Sequence, residues 1–247
     1  MHLRHLTSSR LIPLIALLAL TGCAGQSSQS QPSPSGAQID SIPPPDGTIV
    51  LFDGRDFSHW IGADGTPVRW KIVRDTMEIV PGTGSLVTRT PFRDFLLHVE
   101  FNLPQPPAEA RGQARSNSGV YIQRCYEVQI LDSFGIEAGR RDGGALYGFK
   151  APDQNACRPP GEWQSYDITF RSPRWEGEGA TARKVENARI TVLHNGVPIH
   201  DDVELPNKTG AGRPEGPEPG PILLQDHGHP VRFRNIWLVP QNRSAPR

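Results

Sequence analysis

Glycine and proline interrupt this chain so often that long helices are excluded. The 247 residues include 25 Gly and 25 Pro, and no apolar pattern of helical period lasts three turns between them. The intervening segments are short runs in which apolar and polar residues alternate. In the clearest run, 95–103, five apolar residues share one face: Phe95, Leu97, Val99, Phe101 and Leu103. Successive side chains of a strand point to opposite faces, so this alternation predicts strands.

Twelve such runs predict an all-β domain: 48–52, 68–73, 76–80, 85–88, 95–103, 119–124, 126–131, 163–171, 188–194, 197–205, 221–225 and 231–239. Asn195-Gly196, between two of them, is a strong signal for a two-residue hairpin turn. This many strands without helices favours a two-sheet sandwich or a barrel. For a domain of this size we expect a concanavalin A-like (glucanase) jelly-roll sandwich of two antiparallel sheets, whose concave face often holds a ligand. The Gly- and Pro-rich segment 208–221 is expected to be a long loop near such a site.

The ends of the chain do not fit this pattern. Residues 1–10 carry Arg4 and Arg10 without an acid, and the apolar run 11–20 is too short to span a bilayer. The sequence Leu20-Thr21-Gly22-Cys23 resembles the lipobox of bacterial lipoproteins. We therefore expect a lipoprotein signal peptide at 1–22, a lipidated Cys23 and a disordered tether at 23–45, the alternative being an ordinary signal peptide with an incidental Cys. The folded domain would then span 46–240, followed by a polar tail at 241–247.

These features predict a location in the cell envelope. Ala24, rather than Asp, follows the lipobox Cys, which by analogy with lipoproteins favours the outer membrane, with the protein facing the periplasm. The lipid anchor would be the only contact with the membrane.

Charge and cysteine content narrow the possible partners. The 26 basic and 26 acidic residues balance, and no block of like charge stands out, so nucleic acid is not an expected partner. Outside the signal only Cys125 and Cys157 remain. In an exported protein two such cysteines predict one disulfide, the alternative being two reduced thiols.

Three segments carry polar side chains where strands should be apolar. Glu127 and Gln129 share one face of the run 126–131, and Gln225 and His227 share a face near the run 221–225. In the third segment, 231–239, Arg232 and Arg234 share a face. Gly228-His229-Pro230 joins the second and third segments, which predicts a hairpin with adjacent polar faces.

A solvated sheet face is the plain alternative for these residues. Such a face usually carries Lys, Glu, Ser and Thr, whereas these positions hold Glu, Gln, His and Arg without any Lys. The planar hydrogen-bonding groups of Arg and of the amides suit sugar hydroxyls or carboxylates. The pattern therefore favours a polar binding cleft.

A series of motifs occurs in a fixed order along the chain: 51–60 (LFDGRDFSHW), 94–95 (DF), 116–121 (SNSGVY), 126–132 (YEVQILD), 144–147 (GALY), 161–166 (GEWQSY), 194–196 (HNG), 224–228 (LQDHG) and 233–236 (FRNI). Taken together, these motifs resemble a bacterial domain family named for 3-keto-disaccharide hydrolysis, 3-keto-glucoside lyase and 3-keto-glucal hydratase activity. The resemblance covers nearly all of 46–240. Family members are jelly rolls, commonly on exported lipoproteins. Many relatives carry a Cys where this chain has Gly143, so Cys125 is expected to be the partner of Cys157 instead.

The resemblance implies a reaction in which a base removes the proton on carbon 2 beside a 3-keto group, and the glycosidic oxygen on carbon 1 then leaves. Glu127 or His227 is the expected base, and Arg234 or a divalent metal would stabilise the enolate. Asp132 would orient His227 or ligate that metal. The expected substrate-binding residues are Asn117, Gln129, Gln225, Arg232, Tyr147 and Trp163.

Two functions follow as alternatives. The first is an exported lipoprotein enzyme that cleaves oxidised (3-keto) oligosaccharides or glucosides by elimination and hydration. The second is a non-catalytic carbohydrate-binding surface lipoprotein that uses the same face.

Overall fold

The computed structural model describes residues 43–241. The expected signal peptide, Cys23, most of the expected tether and all but one residue of the expected tail lie outside the described residues. Two three-residue 3-10 turns, Gly112–Ala114 and Gly179–Thr181, are the helical elements of the described part, and neither is long or apolar enough to cross a membrane. The strands are β1 (Ile49–Phe52), β2 (Trp60–Gly62), β3 (Lys71–Val73), β4 (Thr76–Glu78), β5 (Leu86–Thr88), β6 (Phe95–Asn102), β7 (Asn117–Ile122), β8 (Tyr126–Leu131), β9 (Trp163–Arg171), β10 (Arg174–Glu176), β11 (Arg183–Glu186), β12 (Ala188–His194), β13 (Val197–Leu205), β14 (Leu223–Leu224) and β15 (Arg232–Pro240).

The strands form two main antiparallel sheets. The large sheet has the order β13-β12-β9-β6-β15-β4-β3, with β1 also paired to β15, and the small sheet has the order β2-β5-β14-β7-β8. Strands β10 and β11 form a separate hairpin. The predicted jelly-roll sandwich of two antiparallel sheets is confirmed. Each of the twelve predicted runs overlaps a strand, whereas β2 and the charged pair β10–β11, which lack a clear alternation, were not predicted.

The core lies between the two main sheets and follows the alternation seen in the sequence. On β6, Phe95, Leu97, Val99 and Phe101 are at most 1% exposed and belong to the main apolar cluster. The inward side chains of β7 and β8 join the same cluster. Full burial of each side chain of this kind contributes about 1.5–3 kcal/mol, which fixes the register of the strands and therefore the outward direction of their polar residues.

Strand register gives the small sheet a second, outward row of side chains. Tyr121 pairs with Glu127 across β7 and β8, and Leu223 of β14 pairs with Tyr121 on its other side. Val87 of β5 then pairs with Leu223, and Ile61 of β2 pairs with Val87. Directly paired residues point to the same face, so this row crosses the whole sheet and ends at Glu127.

The predicted hairpin between the segments 221–225 and 231–239 is wrong. β14 lies in the small sheet between β5 and β7, whereas β15 lies in the large sheet between β6 and β4. The turn at Gly228 to Pro230 therefore carries the chain from one sheet to the other. A Gly-Pro turn signal fixes a reversal of direction but not the sheet in which the next strand pairs.

The predicted disulfide is also wrong. Both Cys125 and Cys157 are free. Cys125 lies in the turn before β8, whereas Cys157 lies past the other end of β8, beside Gly143. Six residues of strand separate these ends, on the order of 20 Å at about 3.3 Å per residue, and a disulfide requires Cα atoms less than about 7 Å apart.

Candidate active site

The outward face of the small sheet holds a cavity of about 110 Å³. Six residues that the sequence predicts as site residues line it: Asn117, Glu127, Gln129, Tyr147, Gln225 and His227. Three further residues, Gln113, Tyr121 and Ala211, complete the lining. The structure therefore brings together the polar groups of β7, β8 and the end of β14, as the alternation in 126–131 indicates.

Glu127 is the acidic residue that lines this cavity. It is 3% exposed and forms no ion pair with another described residue. Burial raises the pKa of its carboxyl to about 7, against a smaller lowering by hydrogen bonding from the Tyr121 hydroxyl. A carboxyl with this pKa can exist in both protonation states near neutral pH, which suits a group that accepts and returns a proton.

Two glycines leave room for the Glu127 carboxylate. A Cβ on Gly119 would lie 2.7 Å from Glu127 Oε1, and a Cβ on Gly210 would lie 2.7 Å from Oε2. A Cβ on Gly210 would also lie 2.9 Å from the Tyr147 ring. Any larger residue at either position would displace the carboxylate, so the two glycines determine where it sits.

The loop between β13 and β14 forms one wall of the cavity, as expected for 208–221. Thr209 anchors it, because its backbone N–H donates to Cys125 O at 3.0 Å and its Oγ1 accepts from the Glu127 backbone N–H at 2.7 Å. Thr209 is 3% exposed. These bonds to the edge of β8 hold Gly210 and Ala211 against the site.

Amide side chains supply the other polar groups of the cavity. Gln225 Nε2 donates to the Tyr121 hydroxyl at 3.3 Å, while its Oε1 is buried without a partner among the described residues. Asn117 Nδ2 donates to Gln113 Oε1 at 3.0 Å. Hydrogen-bonding partners favour the orientation of Gln129 in which its nitrogen faces Ser118 O, 2.9 Å away, and Glu127 Oε1, 3.1 Å away. The unpartnered Gln225 oxygen can accept a hydrogen bond from a ligand hydroxyl.

Tyr121 faces Glu127 and was not among the residues predicted for the site. Burial and the Glu127 charge raise the pKa of its phenol, so it stays a neutral donor over the physiological range. Tyr121 lies within the SNSGVY motif, and only the strand register places its side chain on the face of Glu127 rather than in the core.

The structure places Arg232, Arg234 and Trp163 elsewhere, which corrects the expectation of one shared polar face. All three belong to strands of the large sheet and none lines the cavity. Arg234 Nε lies 2.6 Å from Glu100 Oε2, and its guanidinium lies 4.1 Å from the centre of the Trp163 ring. Arg232 Nε lies 2.5 Å from Glu78 Oε2. The physical reason is that β15 pairs with β6 and β4, not with β14.

Around Arg234 a buried charged network stabilises the outer face of the large sheet. Glu100 is fully buried, and Asn235 Nδ2 donates to its Oε1 at 2.7 Å. Burial alone would raise the pKa of Glu100, but hydrogen bonds from His98, Asn235 and Arg234 lower it to about 2. His98 Nδ1 lies 2.6 Å from Asp167 Oδ1, and the two carboxylates raise the pKa of His98 against its burial. These partners offset the free-energy cost of burying a carboxylate.

Asp132 lies just after the end of β8, where it accepts hydrogen bonds that hold the local structure. Its Oδ2 accepts from Arg115 Nη2 at 3.0 Å, and its Oδ1 accepts from the Phe134 backbone N–H at 3.2 Å. Asp132 does not line the cavity, and among the described residues no hydrogen bond joins it to His227. Within residues 43–241 no group of three or more His, Cys, Asp or Glu is placed to hold a metal ion.

Comparison with known proteins identifies the family. Residues 47–239 match the model of the 3-keto-alpha-glucoside-1,2-lyase-like domain. The chain belongs to this family. The match spans both main sheets and every residue that lines the cavity, and it confirms the family resemblance seen in the sequence.

Three known proteins that are similar to this chain agree with the family match. A 3-keto-disaccharide hydrolase of Bacteroides thetaiotaomicron is 26% identical over 246 residues, covering 81% of each chain. The solved structure of a candidate glycosyl hydrolase from Parabacteroides distasonis is 32% identical, with a TM-score of 0.72, covering 79% of this chain and 84% of that one. A second candidate glycosyl hydrolase from the same organism, at 19% identity and a TM-score of 0.60, shows the shared fold. These matches indicate a hydrolase-family enzyme that acts on glycosidic bonds.

Proposed function

We propose that this protein cleaves the glycosidic bond of 3-keto-glycosides by elimination followed by hydration, with net hydrolysis. The observation that carries the proposal is Glu127, a buried carboxyl that forms no ion pair within residues 43–241. Its pKa is raised to about 7, and it lies in a cavity lined by amides and Tyr121. The family match and the 3-keto-disaccharide hydrolase relative support a keto sugar as the substrate.

In the proposed reaction the Glu127 carboxylate removes the proton on ring carbon 2, which the neighbouring ketone at carbon 3 acidifies. The electron pair of that C–H bond forms an enolate on carbons 2 and 3. The enolate then re-forms the ketone, makes the carbon 1–carbon 2 double bond and expels the glycosidic oxygen from carbon 1. The leaving oxygen takes up a proton, and protonated Glu127 is a source of it.

The neighbours of Glu127 supply the remaining functions. The single O–H of Tyr121 hydrogen-bonds the Glu127 carboxyl, and the hydroxyl oxygen accepts one N–H of the Gln225 amide. The second N–H of Gln225 is therefore the neutral donor that this pair offers to an oxyanion. Asn117 and Gln129 line the same cavity and would orient ring hydroxyls. His227 lies at its exposed rim, where it is a second candidate for proton transfer or substrate contact. Addition of water across the resulting double bond completes the hydrolysis.

Deuterium exchange at carbon 2 tests this proposal directly. In D₂O, the protein should exchange the carbon 2 proton of a 3-keto-disaccharide and release the free keto sugar, and Glu127→Gln should lose both activities by at least about 100-fold. His227→Ala tells the two candidate bases apart, since loss of exchange in this variant alone would make His227 the base. Tight binding with no exchange and no product would favour the second candidate, a carbohydrate-binding protein, which the unpartnered Gln225 oxygen also suits.

For the part of the chain outside the described residues, we infer export and a lipid anchor at Cys23. The support is the Leu20-Thr21-Gly22-Cys23 sequence after the apolar run 11–20. The protein would then act in the cell envelope, on the periplasmic side of the outer membrane. Membrane fractionation tests this, because Cys23→Ala should move the protein from the membrane fraction to the soluble one, and an unchanged distribution would contradict it.

A further inference from the structure

The Tyr147 hydroxyl is a proton donor of the cavity that the protein itself does not use. Tyr147 lines the cavity and is half-buried, and among the described residues its hydroxyl has no hydrogen-bonding partner. The buried Tyr166 hydroxyl, by contrast, donates to the Gln129 backbone oxygen at 2.6 Å. A phenol O–H that lines a cavity without a protein acceptor can donate to a bound ligand.

The backbone holds Tyr147 beside Glu127. The Tyr147 N–H donates to the Glu127 carbonyl oxygen at 3.1 Å, and the preceding residue, Leu146, forms a bridge with Val128 of β8. A Cβ on Gly210 would lie 2.7 Å from Glu127 Oε2 and 2.9 Å from Tyr147 Cδ1. Because both distances start from the same point, their sum is the largest separation that the carboxylate oxygen and the ring can have. The two side chains are therefore neighbours at Gly210.

Few other groups of the cavity can give up a proton. Besides Tyr147, the lining residues able to do so are Tyr121, Glu127 and His227, and the others are amides and an alanine. The Tyr121 O–H bonds the Glu127 carboxyl, and burial raises the pKa of that phenol. His227 is exposed at the rim. Tyr147 therefore supplies the half-buried O–H that remains for a reacting oxygen.

Glu127 is poorly placed to serve both ends of the reaction. Its Oε1 packs against Gly119 and its Oε2 against Gly210, so the carboxyl has little room to turn after it has taken the carbon 2 proton. Hydration requires a proton at carbon 2 again. A second group at the carbon 1 oxygen would let Glu127 keep its proton for carbon 2.

We propose that Tyr147 is the general acid and base at the glycosidic oxygen, while Glu127 serves carbon 2 alone. This inference rests on the proposed function. In the elimination, Glu127 takes the carbon 2 proton, the bond from carbon 1 to the glycosidic oxygen breaks, and the Tyr147 O–H protonates that oxygen.

Hydration restores both groups. The Tyr147 phenolate takes a proton from water, whose oxygen bonds to carbon 1 of the enone, and protonated Glu127 returns its proton to carbon 2. Each residue ends in the protonation state in which it began, and one water has been added across the former glycosidic bond.

Two 3-keto-glucosides with different leaving groups test the assignment. A sugar alkoxide requires a proton to leave, whereas 4-nitrophenolate leaves without one. General acid catalysis contributes about 100-fold or more. We therefore expect Tyr147→Phe to lower kcat/KM by at least about 100-fold for a 3-keto-disaccharide and by less than about fivefold for 4-nitrophenyl 3-keto-glucoside.

Deuterium exchange at carbon 2 is the second measurement. In D₂O, Tyr147→Phe should exchange this position of the 3-keto-disaccharide within about threefold of the wild-type rate, because Glu127 is intact. The variant would then exchange without cleaving. Loss of the hydroxyl breaks no hydrogen bond to a described residue, so Tm should change by only a few degrees.

Tyr126→Phe is the matched control. Tyr126 lies in the main apolar cluster, and its hydroxyl donates to the Glu215 carboxylate, so its loss should change kcat/KM for the two substrates by the same factor. Equal losses on both substrates in Tyr147→Phe, or loss of exchange together with cleavage, would overturn the inference. A leaving-group dependence that appears in His227→Ala and not in Tyr147→Phe would also overturn it, and would give the role to His227.

A failure of the proposed function has a different signature. Wild-type protein that neither exchanges carbon 2 nor cleaves either substrate would reject the reaction and the inference together. Exchange and cleavage by the wild type, without leaving-group selectivity in Tyr147→Phe, would reject the role of Tyr147 alone. Cleavage without exchange would reject the elimination, and the two leaving groups would then decide by themselves whether Tyr147 is a general acid.

Discussion

A Cβ atom on Gly119 would lie 2.7 Å from Oε1 of Glu127, although the two residues belong to neighbouring strands. The atom in the way is the end of a flexible side chain, so the fold can accept the extra methyl group while the carboxylate cannot keep its position. Gly119 has an ordinary negative-φ backbone and is not among the positive-φ glycines. Gly119 is therefore required by the position of the Glu127 carboxylate and not by a positive φ.

Gly119→Ala should therefore separate activity from stability. We expect cleavage of a 3-keto-disaccharide to fall at least about tenfold, since a misplaced catalytic group loses its near-attack geometry, with Tm changed by only a few degrees. The matched control is Gly216→Ala, where a Cβ meets nothing within 4 Å. A Gly119→Ala enzyme with full activity would show that the Glu127 carboxylate has no fixed position in the reaction.

Activity should depend on pH through the Glu127 carboxyl. Its pKa of about 7 predicts that kcat/KM rises tenfold per pH unit below about pH 7 and levels off above that pH, because the base must be ionised. Tyr121→Phe removes the hydroxyl that lowers this pKa and should shift the rising part of the pH–rate profile to higher pH. A flat profile between pH 5 and 8 would contradict the assignment of Glu127 as base.

Glu127 should also destabilise the fold at high pH. Its folded pKa of about 7 lies above the ordinary value of 4.5, so the stability it contributes is full below about pH 4.5 and is lost as pH rises through 7. The difference corresponds to about 3 kcal/mol at most. Urea unfolding of Glu127→Gln should show a gain over wild type at pH 8 and little difference at pH 4. Equal stability at both would mean that the carboxyl is not desolvated.

The sequence predicted the parts of the fold that depend on local pattern. Phe95 to Phe101 alternate in the core as expected, and Asn195-Gly196, both with positive φ, forms the turn between β12 and β13. Glu127 and Gln129 share the cavity because a strand fixes their common face. Strand pairing between distant segments is not local, and so the sheet that holds Arg234 could not be read from its own alternation.

Substitution of Arg234 tests whether this residue stabilises the large sheet or takes part in the reaction. Arg234→Met leaves the buried Glu100 carboxylate without its guanidinium, and we expect a loss of about 3 kcal/mol in the free energy of unfolding, with kcat/KM of the folded protein unchanged. Arg232→Met is the matched control. The Arg232 side chain is 49% exposed, and Lys71 remains beside Glu78 at 2.7 Å, so its loss should be below about 1 kcal/mol. A stable but inactive Arg234→Met variant would show that Arg234 takes part in the reaction.

The free thiol of Cys157 faces a position where a partner would fit. A Cβ on Gly143 would lie 2.9 Å from Cys157 Sγ, and 2.7 Å from the Leu131 carbonyl oxygen, so the backbone must shift slightly to accept a side chain. We expect Gly143→Cys to form a disulfide with Cys157 under oxidising conditions, whereas the wild-type protein keeps Cys125 and Cys157 as thiols. Closing the short loop between position 143 and Cys157 adds about 2–4 kcal/mol to the free energy of unfolding in the entropic description, less any strain. Peptide mapping by mass spectrometry without reductant checks the pairing, with Gly143→Ser as the control for the added side chain. A Cys125–Cys157 peptide in either protein would contradict the strand geometry, because β8 holds these two residues at opposite ends.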